Sequence, residues 1–552
     1  MLPRKSAYAL LAVLLVIALG WVLYPTLRMF ALGLNVDNLQ TILGSNSNIR
    51  AIINSVTVSL YTVVGGSIVG ITLAYVFFRY DFPFRGLLTS IAAVPIALPP
   101  LVGVLAFLFL YGESGILPRA LQAFFSLESV PFAFDGFWAV LAVHVYTMYV
   151  YFYLFCNAAL RAFDGSLLEA SYDLGAGSFR SFRLVILPYL RPSIVSASLL
   201  VFMISMASFT APLLFAGTEQ FMTLQIYNYK TNGNLDLSAT VSTILTVICL
   251  VFLLLIEWSN RNSGRVATKG TAVGRPVATS GVARVVAATG SLTAITLILL
   301  PILTIILISF AREGAWTTQI LPGEYTTANY ASLFADPNIF SPIRNSLTLA
   351  GIATAANILF GVAAAFVIGK TRAIGRTLLR ILAILPFAVP GTVIAVNLII
   401  TFNQPSPLTF GTVLVGSFWM LPIAYFIRHM PLVVRSTLAA LANYDDSLSD
   451  ASSDLGAGFT TTLRKIVLPV VAPGIVAGSL LTFVAALGEF VSSIMLYIFD
   501  NRPISVEIWS QLRLYDFGAA AAYSVLLMLI VILSTGVIRW FGPKSQSIEQ
   551  AF

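Results

Sequence analysis

The sequence predicts an all-α polytopic membrane protein with about 12 transmembrane helices in two tandem six-helix halves, and three observations carry this prediction. Of the 552 residues, 58% are hydrophobic and only 10% are charged, whereas soluble domains carry about 25% charged residues. Apolar runs of about 20 residues, long enough to cross the hydrocarbon core as a helix, recur along the whole chain. The second half also repeats motifs of the first at nearly constant spacing.

Twelve apolar runs are expected to span the membrane. In the first half they lie near residues 7–30, 52–78, 87–111, 136–156, 192–216 and 237–258. In the second half they lie near residues 286–310, 345–369, 379–402, 411–428, 473–498 and 518–540. Arg4 and Lys5 precede the first run, as in a secretory signal. Because that run reaches Leu27, it is too long for a signal peptide, and we expect an uncleaved span.

Basic residues indicate the orientation of these spans. The net charge of +8 is compatible with nucleic-acid binding, but basic residues of membrane proteins collect in cytoplasmic loops. With the N-terminus in the cytoplasm, all but eight of the 31 Lys and Arg residues fall on that side. The exceptions are Arg28, Arg50, Arg119, Lys230, Arg312, Arg344, Arg502 and Arg513. This asymmetry predicts cytoplasmic N- and C-termini, a surrounding lipid bilayer and no nucleic-acid partner.

Matched motifs relate the two halves. Asn54-Ser55 matches Asn345-Ser346 at a spacing of 291, and Pro99 matches Pro390 at the same spacing. Further along the spacing drops to 281, so the first half holds ten extra residues, expected in the loop between positions 111 and 136. Because each half has an even number of spans, both halves enter the membrane in the same direction. The repeat is therefore predicted to be parallel, about an axis along the membrane normal.

A basic linker joins the halves. Residues 259–284 are rich in Gly, Ser, Thr, Ala and Val, and they carry five basic residues and no acid. This composition predicts a flexible cytoplasmic tether near anionic headgroups, with lipid binding or regulation as an alternative role. The expected domains are a first half over residues 1–258, the linker over 259–285 and a second half over 286–552.

Two polar loops stand out in this apolar chain, near residues 166–188 and 447–469. Their residues match at a constant spacing of 281. The matched pairs are Glu169 and Asp450, Ala170 and Ala451, Gly175 and Gly456, and Pro188 and Pro469. Two copies of one polar pattern at equivalent points of a repeat predict a shared role rather than ordinary connecting loops.

The local structure of these loops follows from their residue types. Ser166 stands three residues before Glu169, which is the spacing of a capping box, and the second loop repeats it. Gly175 comes about two helical turns later, where a left-handed residue ends a helix. We expect a short helix, a sharp bend and a second helix that ends at Pro188.

The loops resemble the EAA loops of binding-protein-dependent ABC importer permeases of type I, whose pattern runs Glu-Ala-Ala, then Gly, then Leu-Pro. Ser171 and Ser452 replace the last Ala, and Asp450 replaces Glu. The resemblance covers nearly the whole chain, since each six-span half matches the permease unit. The residues that it implies in coupling to an ATPase are Glu169, Ala170 and Gly175 in the first loop and Asp450, Ala451 and Gly456 in the second.

The resemblance implies a transport subunit without an ATPase site of its own. Residues 364–371 come nearest to a Walker sequence, but Ala364 stands where the first Gly is required and the stretch ends a span. ATP and Mg are therefore expected on a separate cytoplasmic ATP-binding subunit, present in two copies, and no cofactor on this chain. A periplasmic or lipid-anchored solute-binding protein completes the assembly expected in a bacterial inner membrane.

The fifth span of each half follows its EAA loop, and the two spans align so that Ser208 falls opposite Glu489. An acid inside a span is costly and marks a functional site by default. Glu489 is predicted to attract a cation or to pair with a basic neighbour, and a structural hydrogen-bonded carboxyl is the alternative. Thr210 and Ser492 are further predicted pathway residues, although hydroxyls in spans also cap backbone carbonyls.

The fused two-half design is most similar to permeases for ferric iron, which resemble the second half around Glu489. Permeases for thiamine, polyamines or phosphonates share much of the pattern and remain alternatives. An ion-coupled secondary transporter is a remote alternative, because it would need several charged residues within spans. Cys156, Cys249, His144 and His429 are isolated in sequence, so they predict helix packing rather than a disulfide framework or a metal site.

Overall fold

The computed structural model describes residues 4–263, 281–316 and 319–541. Within these ranges the chain is helical apart from loops and one isolated antiparallel bridge between Ala311 and Tyr325. Ten of the described helices are long and apolar enough to cross a membrane, and a bent helix pair makes an eleventh. The predicted all-α polytopic fold is confirmed. Most of the predicted linker, residues 264–280, lies outside the described ranges.

The α-helices of the first half follow one another from the N-terminus to the linker. They are α1 (Arg4–Ala18), α2 (Tyr24–Gly33), α3 (Val36–Gly44), α4 (Asn46–Arg79), α5 (Arg85–Ile91), α6 (Pro100–Tyr111), α7 (Ile116–Phe124), α8 (Gly136–Arg161), α9 (Gly165–Asp173), α10 (Ser178–Ser181), α11 (Leu187–Met206), α12 (Thr210–Phe215), α13 (Met222–Thr231) and α14 (Leu235–Ser263).

The second half continues after the linker. Its α-helices are α15 (Gly281–Ile308), α16 (Ala328–Ala335), α17 (Pro337–Lys370), α18 (Arg376–Ile384), α19 (Gly391–Phe402), α20 (Met420–Ala442), α21 (Ser447–Asp454), α22 (Phe459–Thr462), α23 (Leu468–Leu487), α24 (Val491–Leu496), α25 (Ile504–Arg513) and α26 (Phe517–Phe541).

The two halves build the same succession of helices. A long second span, α4 or α17, precedes a broken third span and a fourth span, α8 or α20. The short helix of an EAA loop, α9 or α21, then leads to the fifth span, two short helices and a sixth span, α14 or α26. The extra residues of the first half contain α7, which a 3-10 turn, Pro407–Thr409, replaces in the second.

Proline breaks the third span of each half. In the second half, Arg376–Phe387 and Gly391–Phe402 meet at 112° on either side of Pro390. In the first half, the 3-10 turn Val94–Ala97 and the following Pro99 separate α5 from α6. Pro has no backbone N–H to donate, and its ring clashes with the preceding helical turn. The predicted third spans of both halves are therefore each two helices rather than one.

The fourth span of the second half lies further along the chain than the predicted range 411–428. Gly411 and Gly416 have φ of +78° and +81°, left-handed conformations that a right-handed helix excludes. The helix α20 begins only after them and continues beyond Arg428 to Ala442. The predicted boundary was wrong because Arg428 interrupts the apolar run without ending the helix.

The first span of each half packs against helices of the other half. The helices α1 and α2 pack against α17, α18 and α19, and α15 packs against α4, α5 and α6. Trp21 on the first span stacks obliquely on Phe402 with ring centroids 5.0 Å apart. The amide of Asn397 donates to the hydroxyl of Thr26 at 3.3 Å. These reciprocal contacts bind the halves around a shared interface.

Candidate functional site

Each EAA loop ends its short helix with the same left-handed turn. Gly175 and Gly456 both have φ of +79°, a conformation that Gly adopts without steric cost. The N–H of Ala176 donates to the carbonyl of Ser171 at 3.1 Å, and the N–H of Gly175 donates to that of Tyr172 at 2.8 Å. This Schellman arrangement satisfies carbonyls left free at the helix end. The predicted bend is confirmed in both loops.

The first turn of each short helix differs from the predicted capping box. In the first loop Asp164 is the cap, and its carboxylate accepts the N–H of Ser166 at 3.0 Å. In the second loop Asp445 accepts the N–H of Ser447 at 3.0 Å, and this bond holds the pKa of Asp445 below its usual value. The capping-box prediction is wrong because an upstream carboxylate accepts the N–H of Ser166 or Ser447, the group that a capping box pairs with the acid three residues later.

The helix after each bend continues into the fifth span. Ser178–Met206 and Phe459–Leu487 are each one helix, so the prediction that Pro188 ends a helix is wrong. A π-helical turn, Phe182–Ile186, ends two residues before Pro188, and an equivalent turn ends two residues before Pro469. The wider turn accommodates a residue without an N–H donor. Each EAA loop is therefore connected to its fifth span by an unbroken helix.

A hydroxyl pair also fastens each short helix to the fifth-span helix. The Ser171 and Ser181 hydroxyls are 2.8 Å apart, and the equivalent Ser452 and Thr462 hydroxyls are also 2.8 Å apart. Ser171 and Ser452 are the residues that replace Ala in the EAA pattern. Their departure from the pattern therefore has a structural role in holding the bend.

A basic residue at the end of each second span holds the EAA loop from the other side. The Arg79 guanidinium lies over the Tyr172 ring, 5.2 Å from its centroid. The equivalent Lys370 has its ammonium 2.5 Å from the carboxylate of Asp446 and 5.0 Å from the ring centroid of Tyr444. The loops are thus anchored to both the second and the fifth spans.

The outward surface of each EAA loop carries the predicted coupling residues. All six of them are exposed: Glu169, Ala170, Gly175, Asp450, Ala451 and Gly456. Leu174 and Leu455, which the sequence reasoning missed, are each 88% exposed. Their signal was present in the repeat, since a Leu precedes the Gly of both loops. An exposed Leu held beside an acid at two equivalent places indicates a surface for a protein partner.

The fifth span of the first half is broken at Ala207–Phe209, between α11 and α12. At this break Ser208 has its hydroxyl 2.8 Å from Nε2 of His144. The other ring nitrogen of His144 is 3.0 Å from the hydroxyl of Ser205, which also accepts a bond from Ser59 at 2.9 Å. The buried His144 joins α8 to α11, the helix-packing role expected for it.

The equivalent break of the second half, residues 488–490, contains Glu489. Its carboxylate lies 2.6 Å from Nε of Arg428 on α20 and accepts the N–H of Ser492 at 2.9 Å. Nε2 of His429 is 3.8 Å from the same carboxylate. Glu489 is buried and Arg428 is partly exposed. Of the predicted alternatives, the structure shows pairing with a basic neighbour. The sequence reasoning did not identify Arg428 as that neighbour, because it ended the fourth span at this residue.

The four predicted pathway residues lie in the two breaks or just after them. Thr210 and Ser492 are buried beside Ser208 and Glu489, and the Ser492 hydroxyl donates to the carbonyl of Gly391 at 3.4 Å. The structure brings the breaks together, because the residues that follow Ser208 and Glu489 have their rings 6.3 Å apart. The breaks thus meet at the interface between the halves.

The repeated Asn-Ser motif positions the helix that follows each break. The hydroxyl of Ser55 accepts the N–H of Met222 at the start of α13 at 2.9 Å. In the same way Ser346 accepts the N–H of Ile504 at the start of α25 at 2.8 Å. In each half, the asparagine before this Ser donates to the loop that precedes α13 or α25. This motif ties each second span to the region of the breaks.

Two segments of the chain match one protein family. The family described as "Binding-protein-dependent transport system inner membrane component" matches residues 66–265 and again residues 357–547. Each match includes one EAA loop and one broken fifth span. The chain therefore carries the unit of this family twice, in agreement with the predicted repeat.

Relatives extend over most of the chain. A probable ABC transporter permease protein y4fN of Sinorhizobium fredii is 30% identical over 538 residues, which cover 96% of this chain and 94% of that protein. A ferric transport system permease protein FbpB of Actinobacillus pleuropneumoniae is 27% identical over 561 residues, 98% of this chain and 79% of that protein. A sulfate transport system permease protein CysT of Salmonella typhimurium is 28% identical over 214 residues, 37% of this chain and 77% of that protein.

The family assigns the general role of the two sites. Its members are transport subunits rather than enzymes, and they work with ATPase and solute-binding partners. The EAA loops and the broken fifth spans occur in both matched segments. The chain belongs to the family of binding-protein-dependent ABC importer permeases and is a multi-pass membrane permease of the fused two-half type.

Proposed function

We propose that this chain carries ferric iron across a bacterial inner membrane, from a periplasmic or lipid-anchored solute-binding protein to the cytoplasm. Two copies of a separate cytoplasmic subunit bind ATP and Mg and hydrolyse the ATP. The observation that carries the proposal is the pair of EAA loops, which are equivalent, exposed and each continuous with a fifth span. With the N-terminus in the cytoplasm, as the distribution of basic residues predicts, the EAA loops and both chain termini lie on the cytoplasmic side.

Each loop offers its ATPase subunit a rigid surface. The exposed acid, Glu169 or Asp450, lies five residues before the exposed Leu174 or Leu455. The apolar side chains supply contact area, and the acids supply charge complementarity with a basic groove. The hydroxyl pairs and the basic anchors fix each loop to its spans, so a partner that moves the loop moves the spans with it.

The fifth span carries that movement to the pathway. Ser178–Met206 has 29 residues, and a helix of that length extends about 43 Å at 1.5 Å per residue. It begins at the EAA loop and ends at the break that contains Ser208. When ATP closes the two ATPase subunits, the loops approach each other and the halves rotate from inward-open to outward-open, and hydrolysis resets them.

Ferric iron is the proposed cargo because a ferric permease aligns with 98% of this chain, across both halves. Glu489 has both carboxylate oxygens engaged by Arg428 and the N–H of Ser492. We therefore propose that Glu489 shapes the pathway through Arg428 rather than by ligating the ion directly. Ser208 and Thr210 complete the polar wall on the opposite half.

The proposal is tested by reconstituting the full chain with its ATPase and its binding protein in liposomes. ATP-dependent accumulation of radiolabelled Fe³⁺ is expected. The double variant Glu169→Lys, Asp450→Lys is expected to lose the ATPase and all accumulation while remaining inserted, because it reverses the charge of both docking surfaces. Undiminished copurification of the ATPase with this variant would contradict the docking assignment.

A matched control makes the same charge change elsewhere. Asp37 and Glu313 are exposed acids away from the EAA loops, so the double variant Asp37→Lys, Glu313→Lys is expected to retain the ATPase. If the wild-type complex accumulates sulfate, thiamine, a polyamine or a phosphonate but no iron, the cargo is wrong and the transport mechanism stands.

A further inference from the structure

Two phenylalanines at equivalent positions of the repeat face each other at the interface between the halves. Phe209 and Phe490 are 281 residues apart, the spacing that relates the EAA loops. Their ring centroids lie 6.3 Å apart with an interplanar angle of 29°, and each side chain is only 1% exposed. Residues equivalent under a twofold repeat can touch each other only at its axis. This contact therefore marks the pseudo-twofold axis of the molecule.

The Phe209–Phe490 contact differs from the other aromatic contacts between the halves of the described chain. Other ring pairs also cross between the halves, such as Trp21 with Phe402 and Phe109 with Phe517. Neither joins equivalent positions of the repeat. In the part of the chain that the structure describes, the Phe209–Phe490 contact is the ring pair that does so. A transport pathway between two parallel halves runs along that axis, and these rings stand across it.

Each phenylalanine is backed by a ring from its own half. Phe209 packs against Tyr227 on α13, with centroids 5.3 Å apart. Phe490 packs against Trp509 on α25, with centroids 6.5 Å apart. Together they form an aromatic row, Tyr227, Phe209, Phe490 and Trp509, which crosses the interface from one half to the other. The row lies at the end of each fifth span remote from its EAA loop.

The backbone at the phenylalanines is suited to movement. Both residues lie in the breaks of the fifth spans, where the helical ladder is interrupted. A Cβ at Gly488 would come 3.1 Å from Cβ of Pro99 in the other half, so the halves approach closely beside the row. A stacked contact with no bond across it can separate when the halves rotate, and an apolar constriction excludes water and ions while it is closed.

We propose that Phe209 and Phe490 are the apolar gate of the permease, closed in this structure, which opens when the coupling loops bring the halves to the outward-open state. This inference rests on the proposed transport function. Under the proposed orientation the gate closes the periplasmic end of the pathway. Tyr227 and Trp509 are positioning residues that hold the two gate rings against each other.

The test is the leak of small solutes through the ATPase-bound permease in liposomes without ATP. The probes are radiolabelled sulfate and erythritol, one charged and one neutral, entrapped before dilution. The double variant Phe209→Ala, Phe490→Ala is expected to release both at least about tenfold faster than the wild type, because the constriction becomes wide enough to hold water. Efflux at the wild-type rate from this variant overturns the proposal.

A control pair separates gating from loss of packing. Phe202 on α11 stacks on Phe252 on α14 within the first half, with centroids 3.8 Å apart. The double variant Phe202→Ala, Phe252→Ala removes the same volume and is expected to stay tight. Equal leakage from this control overturns the gate assignment, since leakage would then follow from a loosened fold.

Leucine variants keep the proposal testable if the alanine pair does not insert. Phe209→Leu, Phe490→Leu preserves an apolar constriction and is expected to stay tight. Asp replacing either Phe singly, as in Phe209→Asp, is expected to hydrate the constriction and to leak. Absence of leakage from both single Asp variants overturns the gate. Loss of ATP-driven uptake by the wild-type complex would refute the proposed function instead, because the leak assay uses neither ATP nor the binding protein.

Discussion

Ser171 and Ser452 stand where the EAA pattern has alanine, and each bonds the helix beyond the bend. The third residue of the pattern faces this helix in both loops, so a small side chain is required there. A hydroxyl adds a bond of about 1 kcal/mol without adding bulk. At these two positions the sequence departs from its family in a way that strengthens the bend.

The left-handed backbone conformation of Gly175 can be tested by substitution. Its φ of +79° is unfavourable for any residue with a Cβ, yet a Cβ there would meet no atom within 4 Å. Gly175→Ala is therefore expected to destabilise the loop by about 1–2 kcal/mol through its backbone alone, and to weaken ATPase binding by up to about tenfold, since 1.4 kcal/mol is a factor of ten. Titration of the ATPase against the purified variant measures this effect.

The controls for Gly175 come from the same loop. Gly177 has an ordinary φ of −68° and an equally open Cβ position, so Gly177→Ala is expected to bind the ATPase as the wild type does. Gly175→Asn is expected to fall between them, because Asn visits the left-handed region more readily than Ala. A Gly177→Ala variant as weak as Gly175→Ala would show that the bend does not depend on the left-handed residue.

Between elements, the Arg428–Glu489 pair joins the fourth span to the broken fifth span of the second half. Glu489→Ala is expected to lose uptake and keep ATPase binding, because the EAA loops lie at the other end of the fifth spans. Removing one partner of a buried pair costs about 3–5 kcal/mol, so the melting temperature of the purified protein should also fall. Normal uptake by Glu489→Ala would remove this residue from the pathway.

A double-mutant cycle isolates the pair. Arg428→Met alone leaves a buried carboxylate without its partner, whereas Arg428→Met with Glu489→Ala removes both charges. The double variant is expected to be more stable than the sum of the single effects by about 1–3 kcal/mol. Additive effects would mean that the two residues act independently despite their 2.6 Å contact.

The helical elements were predictable where apolar runs and helices coincide. Spans such as α4, α8 and α17 follow their apolar runs closely because lipid and core both require apolar residues. The breaks in the third spans were not predictable in this way, because Pro99 and Pro390 interrupt the helix within a continuous apolar run. The fifth spans extend further back than predicted, because π-helical turns let the helix pass Pro188 and Pro469. Apolar composition indicates which segments lie in lipid or in the protein core. It carries no information about the backbone hydrogen bonds that proline interrupts.

In the whole molecule, the halves are bound by exchange of their first spans and meet at the axis through equivalent residues. The repeat spacing predicted the paired EAA loops and the alignment of Ser208 with Glu489. It did not predict that Arg428 neutralises Glu489 or that Phe209 faces Phe490, because both depend on contacts between distant segments. The EAA loops are held by nearly equivalent contacts in the two halves. The breaks of the fifth spans differ, because one contains a His–Ser hydrogen bond and the other an ion pair.

The central claim is that each EAA loop docks one ATPase subunit, and the number of ATPase subunits bound per chain tests it most directly. Native mass spectrometry of the purified complex should find two per wild-type chain. Leu174→Glu and Leu455→Glu each place a charge at the most exposed apolar contact of one loop, so each should leave one, and the double variant none. Two subunits retained by either single variant, or one bound to the wild type, would contradict the account.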